Sequence, residues 1–160
     1  MILSTRGRYA VMAMVELSLH GGEKPLALAE ISERQEIPLA YLEQIFAKLR
    51  KSGLVKSVRG PGGGYQLLRP ASETWVSDII MAAEESIKMT RCDNGAAGCM
   101  SPKTRCLTHD LWEGLGNQIY AYLRSISLED VCERRLQEKF SSGRTAKSPA
   151  AAFNLEVLDQ

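Results

Sequence analysis

The chain has 160 residues, 44% hydrophobic and 24% charged, enough for one compact domain or a small domain with an appended element. Charges interrupt every apolar run, and the N-terminal apolar stretch carries Glu16 and no small-residue cleavage site, so neither a membrane span nor a signal peptide is expected and the protein is assigned to the cytoplasm. The net charge of +1 hides an asymmetry: residues 1–70 carry ten basic and six acidic residues, and the remaining ninety sum to −3. A basic first half suits a polyanion partner, although an ordinary solvated surface accounts for so small an excess equally well.

Residues 5–20, TRGRYAVMAMVELSLH, are apolar on nearly every side, which predicts a helix buried on more than one face and stopped by Gly21-Gly22. His20 in its last turn is a helix-end residue favoured by the dipole and is given no functional role. A short helix follows over about 27–35, with Leu28 and Ile31 inward. Pro38 disfavours helical backbone at the preceding residue, making Glu36-Ile37 a turn. The next helix, about 38–51, places Leu39, Leu42, Phe46 and Leu49 at spacings of 3, 4 and 3, with Ile45 beside them. Its other face carries Ala40, Glu43, Gln44, Ala47, Lys48 and Lys51. Two short helices joined by a tight turn suit a helix-turn-helix, but equally a plain helical hairpin with a solvated outer face.

The segment LVKSVRGPGGGYQLLRP decides between them. Two short β-type runs, one with Val55 and Val58 and one with Tyr65, Leu67 and Leu68, flank a glycine-rich tip at Gly60–Gly64. A hairpin directly after a helix-turn-helix is a wing, with Arg59 at the base of its tip, Lys56 before it, and a narrow minor groove as its natural target. A phosphate-cradling loop would need a helix immediately after the glycines, and a second β-run follows instead.

Residues 77–86 predict another helix with Ser77 as N-cap. THDLWEGLGNQIYAYLRSI predicts a longer one, capped by Thr108 and with Asp110 in its first turn. Trp112, Leu115, Ile119, Tyr122 and Ile126 fall at spacings of 3, 4, 3 and 4, a heptad seam that calls for a partner helix and points to a homodimer. SLEDVCERRLQEKF reads as a last helix with Leu128, Val131, Cys132 and Leu136 on one stripe, Cys132 serving as a small buried apolar residue. Residues 141–160 show no sustained period and read as a mobile tail. The expected organisation is a winged helix-turn-helix domain (1–86), a cysteine loop (87–109), a dimerisation helix with a C-terminal helix (110–140), and the tail, mainly α with a small β-wing.

Cys92, Cys99, Cys106 and His109 form a C-x6-C-x6-C-x2-H pattern in a stretch too rich in glycine, alanine, serine and proline to make a core. Cysteines in a cytosolic chain read as metal ligands or reactive thiols before disulfides. A structural zinc site usually pairs its ligands at two- to four-residue spacing. Only Cys106 and His109 are that close, and wide gaps suit a larger object such as an iron–sulfur cluster with a mixed thiolate and imidazole ligand set. Zinc, free thiols and a disulfide switch are the remaining alternatives.

The stretches LSTRGRYAVMAM, ISERQEIPLAYLEQIFAKLRKSGLV, SVRGPGGGYQL and RC…C…RCLTHDLW together resemble the bacterial winged-helix iron–sulfur cluster regulators of the Rrf type, over about residues 2–135. The wing sequence marks the wider family, and the CLTH-x-LW element marks the cluster-regulating members. The resemblance implies a non-catalytic homodimer in the bacterial cytoplasm that binds double-stranded DNA operators. It implies one [2Fe-2S] cluster per subunit, ligated by Cys92, Cys99, Cys106 and His109 and delivered by the iron–sulfur assembly machinery. It places Glu43 and Gln44 facing the bases with Tyr41 nearby, Lys56, Arg59 and Gly60 in the wing contact, and Thr5, Arg6 and Arg8 on phosphates. The implied role is feedback repression or activation of cluster-assembly genes. The rivals are a nitric-oxide- or iron-sensing repressor with a [4Fe-4S] cluster, and an iron–sulfur carrier or redox protein. Two departures from the family pattern stand out: both cysteine gaps are one residue longer, and Ala40 stands where the recognition helix commonly has serine.

Overall fold

The computed structural model describes residues 4–22, 24–84 and 106–141. Helix α1 (Thr5–Gly21) is the hub, packing on the three other helices and the second strand of the winged domain. Ser4 caps it, its hydroxyl accepting from the Gly7 amide at 3.3 Å. Ala10, Ala13, Met14 and Leu17 form its inner face. Glu16 is buried there too, and its carboxylate accepts from Gln35 Nε2 (2.8 Å) and Arg34 Nη1 (3.2 Å) and lies 3.1 Å from His20 Nε2. A buried carboxylate needs such donors, and these ones tie α1 to the next helix.

Helix α2 (Leu28–Gln35) ends at Glu36, whose φ of 53° reverses the chain in the left-handed region. The Ser32 hydroxyl donates to the Ile37 carbonyl at 2.6 Å and locks the turn. Pro38 then opens α3 (Leu39–Lys51), with Leu42, Ile45, Phe46 and Leu49 buried. Leu39, expected inward, is 41% exposed: it is the first helical residue, a turn beyond the edge of the core, and Ile45 takes the inner place.

Strands β1 (Val55–Val58) and β2 (Gly64–Leu67) form a two-stranded antiparallel sheet, Val55 opposite Leu67 and Val58 opposite Gly64. Between them the Gly63 amide donates to the Gly60 carbonyl at 2.9 Å. With Pro61 second and Gly62 third at φ 72°, this is the order a type II turn demands. The glycines are steric requirements as well as a loose tip: a Cβ on Gly64 would stand 2.3 Å from the Leu26 carbonyl oxygen, where Leu26 and Tyr65 exchange backbone hydrogen bonds. Tyr65 packs edge-on against Phe46 at 4.8 Å and fixes the wing to α3.

Helix α4 (Val76–Glu84) starts one residue earlier than expected, so Ser77 is a fully buried second residue and not the cap. Helix α5 (His109–Arg124) ends at Ser125, before Ile126. The C-terminal helix is two pieces, α6 (Leu128–Cys132) and α7 (Leu136–Ser141), broken where Arg134 takes φ 55°. The span 126–128 returns to the winged domain. The Val76 amide donates to the Ile126 carbonyl (3.0 Å), the Leu128 amide donates to the Thr74 carbonyl (2.7 Å), and Trp75 bridges Ser127. Leu128 is fully buried in the core of α1, and Ile126 packs with Val76 and Ile80. Cys132 is partly buried against that main core. The tail expected over 141–160 lies, apart from Ser141, outside the described residues.

Ser127 and Asp130 form a capping box on α6, and Lys139 Nζ lies 2.6 Å from Asp130 Oδ2. The Lys139 hydrogen bond first, then the Ser127 amide, hold the Asp130 carboxyl well below its ordinary 3.8, at about 2. A folded value below the unfolded one means stability present above about pH 3.8 and lost as pH falls through about 2. Asp130→Asn is therefore expected to flatten the loss of denaturation midpoint across that acid window, measured against the parent protein.

Candidate DNA interface and metal-ligand loop

The outer face of α3 presents Ala40, Glu43, Gln44, Ala47 and Lys51 to solvent, five of the six residues its periodicity assigned there, Lys48 being the exception. Tyr41 is half buried, its ring meeting Tyr9 edge-on at 5.7 Å. That contact joins the first turns of α1 and α3, so Thr5 and Arg8, both exposed, and the half-buried Arg6 lie within a turn of the residue touching Tyr41. In the hairpin Lys56, Arg59 and Gly60 are all exposed. Helix start, α3 face and wing thus form three parts of one module, tied by the Tyr9–Tyr41 and Phe46–Tyr65 ring contacts.

Lys48 behaves differently from its neighbours. It is half buried, and its Nζ donates to the Ala83 carbonyl in the last turn of α4 at 3.2 Å. The recognition-type helix is thereby fastened to the helix that leads into the cysteine segment. Nothing in the spacing of Lys48 separates it from a solvated lysine, because its acceptor is 35 residues away in sequence.

Of the four metal-ligand candidates, Cys106 and His109 are described, and Cys92 and Cys99 lie outside the described residues. Cys106 is half buried and His109 buried, and the His109 amide donates to the Cys106 carbonyl at 3.0 Å, so one tight turn carries both side chains into the N-terminus of α5. Thr108 occupies the N-cap position but makes no capping bond; its hydroxyl lies 3.6 Å from Cys106 Sγ. A thiol and a shielded imidazole on one turn are soft and borderline donors of the kind an iron–sulfur cluster takes, so the described half of the set fits such a group. His109, Asp110 and Glu113 also bring ligand-type atoms within 4.8 Å of one another. Glu113 was not singled out from the sequence, although its position one turn after His109 is plain in HDLWE.

On α5, Trp112, Leu115 and Tyr122 are exposed and Ile119 is half buried. Tyr122 stacks on Phe140 of α7 at 4.9 Å. Ile126 is set apart from this seam, because it follows the end of the helix and is buried within the protomer.

A helix-turn-helix followed by a hairpin wing, with polar and basic side chains on the exposed face of the second helix, defines a winged-helix DNA-binding protein. The chain belongs to the Rrf2 family, described as iron-dependent transcriptional regulators, whose pattern matches residues 3–134. It is similar to the HTH-type transcriptional regulator IscR of Photorhabdus laumondii, 55% identical over 131 residues that span 82% of this chain and 79% of that one. It is also 51% identical to the putative HTH-type transcriptional regulator ORF2 of Azotobacter vinelandii, covering 89% of this chain and 90% of the relative. Among solved structures, T. potens IscR matches at TM-score 0.69 and 36% identity, covering 92% of this chain and 94% of that one. CymR, the global cysteine regulator of B. subtilis, matches at TM-score 0.69 and 32% identity, covering 84% and 98%. The chain is accordingly a DNA-binding transcription regulator and not an enzyme, which removes the carrier or redox-protein alternative. No helix among the described residues is long and apolar enough to cross a membrane.

Proposed function

We propose that this regulator acts in the bacterial cytoplasm as a homodimer that senses iron–sulfur cluster status. Each subunit holds a [2Fe-2S] cluster through Cys92, Cys99, Cys106 and His109, receives it from the assembly machinery, and controls genes for cluster assembly. The observation that carries this reading is the turn joining Cys106 to the buried His109 at the start of α5. A bound cluster would supply a redox-active, labile anchor, and the chain's residues do the rest. Cys106 and His109 donate from one end of α5. Trp112, Leu115, Ile119 and Tyr122 give that helix a face for its copy. Lys48 fastens α3 to the helix at the other end of the cysteine segment.

On DNA, Thr5, Arg6 and Arg8 meet phosphates, Tyr41, Glu43 and Gln44 approach the major groove, and Lys56, Arg59 and Gly60 carry the wing to the minor groove. Glu43 repels phosphates wherever it finds no donor, and a cytosine amino group is the donor that turns this cost into selectivity. The deciding measurement is an anaerobic absorption spectrum with iron and sulfide counts. Equal iron and sulfide in the amounts of a [2Fe-2S] cluster are expected, and the content of a [4Fe-4S] cluster would favour the nitric-oxide- or iron-sensing reading.

Arg59→Ala is expected to weaken operator binding by about 1–3 kcal/mol on every sequence and to flatten the salt dependence, because a cation held in the minor groove by charge and shape is lost. Titrations at several salt concentrations read both effects. Unchanged affinity and slope would mean that the wing does not reach DNA.

A further inference from the structure

Helix α3 opens without a polar side chain. Pro38 stands at its N-cap with no side-chain capping bond, Leu39 and Ala40 follow, and all three are exposed. Leu39 keeps 41% of its surface in water, although Leu42, Phe46 and Leu49, the other members of its stripe, are fully buried. On an ordinary surface a single exposed leucine needs no explanation. This one lies in the first turn of the second helix of a helix-turn-helix, the part of that motif that meets base edges. The turn is also held in place from behind: Tyr41, two residues on, is braced against Tyr9 of α1 by the ring contact at 5.7 Å.

Leu39, Ala40, Glu43 and Gln44 are all exposed, so Leu39 stands one turn ahead of Glu43 and Ala40 one turn ahead of Gln44. A turn advances about 5.4 Å and a base step about 3.4 Å, which separates what the two turns meet by roughly one or two base steps. The turns differ in what they can recognise. Glu43 offers acceptors and Gln44 both a donor and an acceptor. Leu39 and Ala40 offer hydrocarbon only. In the major groove the base edges are patterns of donors and acceptors, and the one apolar feature among them is the C5-methyl group of thymine. A leucine set against a donor or acceptor strips its water and returns no hydrogen bond, whereas against a methyl group both partners withdraw hydrocarbon from water. Resting on the DNA contacts proposed above, we propose that Leu39, with Ala40 beside it, is a specificity-determining residue that takes a thymine methyl group, one or two base steps from the base pair met by Glu43 and Gln44. The recognition face is then divided: its second turn selects by hydrogen bonding, and its first selects thymine by apolar contact and penalises bases that present only polar groups there.

The test uses the full chain and a duplex that this protein selects from a random-sequence library. Each thymine of that duplex is replaced in turn by deoxyuridine, which removes the methyl group and leaves every hydrogen-bonding group in place. At one thymine or more, the parent protein is expected to lose roughly two- to fivefold in affinity, the effect of one methyl group withdrawn from water. Leu39→Ser is expected to bind the thymine and deoxyuridine duplexes equally at that position. Leu39→Met, which keeps a long hydrocarbon side chain, should retain the penalty, and Glu43→Ala should retain it while changing the preference at the neighbouring base pair. Equal affinity of the parent for every deoxyuridine duplex overturns the role of Leu39 and leaves the DNA contacts of Glu43 and Gln44 intact. A penalty kept in full by Leu39→Ser, with an unfolding midpoint matching the parent, gives the methyl group to another side chain and also overturns it. Failure of the parent protein to select any sequence from the library overturns the proposed base contacts themselves, and this proposal with them.

Discussion

Cys106→Ala protein, purified without oxygen, is expected to lose most of its iron and sulfide, while Cys132→Ala keeps both. The two cysteines stand in different surroundings. Cys106 is half buried in the turn that opens α5, its carbonyl holding the His109 amide, so its sulfur and the imidazole leave the backbone within one turn. With the proposed ligand set, removing one of four ligands would leave an iron open to solvent and thiols and lower cluster retention. Cys132 ends α6 and packs against the main core as a small apolar group. Its truncation removes little more than a sulfur from a partly exposed position, so fold and metal content are both expected to survive. Iron and sulfide assays on the two variants, with circular dichroism to establish folding, decide the matter. Loss of iron in folded Cys132→Ala would reassign the ligand set.

Leu128→Ala is expected to destabilise the protein by about 2–5 kcal/mol, the range for emptying a fully buried leucine site. Leu128 is fully buried, and its amide is held by the Thr74 carbonyl, so little room exists for the neighbours to collapse into the cavity. Such a loss is a large share of the whole stability of a domain this size. DNA binding should weaken with it at growth temperature although residue 128 is not on the interface. Leu111→Ala, on the exposed side of α5, should change protomer stability by less than about 0.5 kcal/mol. Chemical denaturation of both variants, followed by helix content, gives the comparison. Equal midpoints would mean that the return of residues 126–128 to the winged domain contributes nothing.

The contrast between these sites shows where sequence reasoning reaches. The helix-turn-helix was legible because its determinants are local: the stripe at Leu42, Phe46 and Leu49 repeats with the helical period, and Pro38 restricts the residue before it. The wing was legible from its glycines, although their purpose was only half visible. Gly64 is required by the approach of the Leu26 backbone, a partner 38 positions away. The misreadings share a cause. The heptad through Ile126 continues in sequence past the point where the helix stops, because the Ser125 hydroxyl bonds the Tyr122 carbonyl and Ser127 opens a new capping box with Asp130. The S-x-x-D signature of that box was available in the sequence. The break at Arg134 carries no glycine or proline to announce it. The links from Trp75 to Ser127, from Lys48 to Ala83 and from Glu16 to Gln35 are single long-range contacts that leave no periodic trace. All four candidate ligands were readable as a pattern, and the described pair, Cys106 and His109, is placed by the fold on one turn, as its tight x2 spacing suggests.

The return of residues 126–128 to the winged domain also sets an order of events during synthesis. A chain leaves the ribosome from its N-terminus, and domains close as units once their parts are available. Here the core around α1 is not complete until Leu128 has emerged, and by then every residue from Cys92 to His109 has already been made. The cell therefore has no interval in which a finished DNA-binding core exists without its cysteine segment. Gene fragments that end near residue 86 encode a core that lacks Leu128.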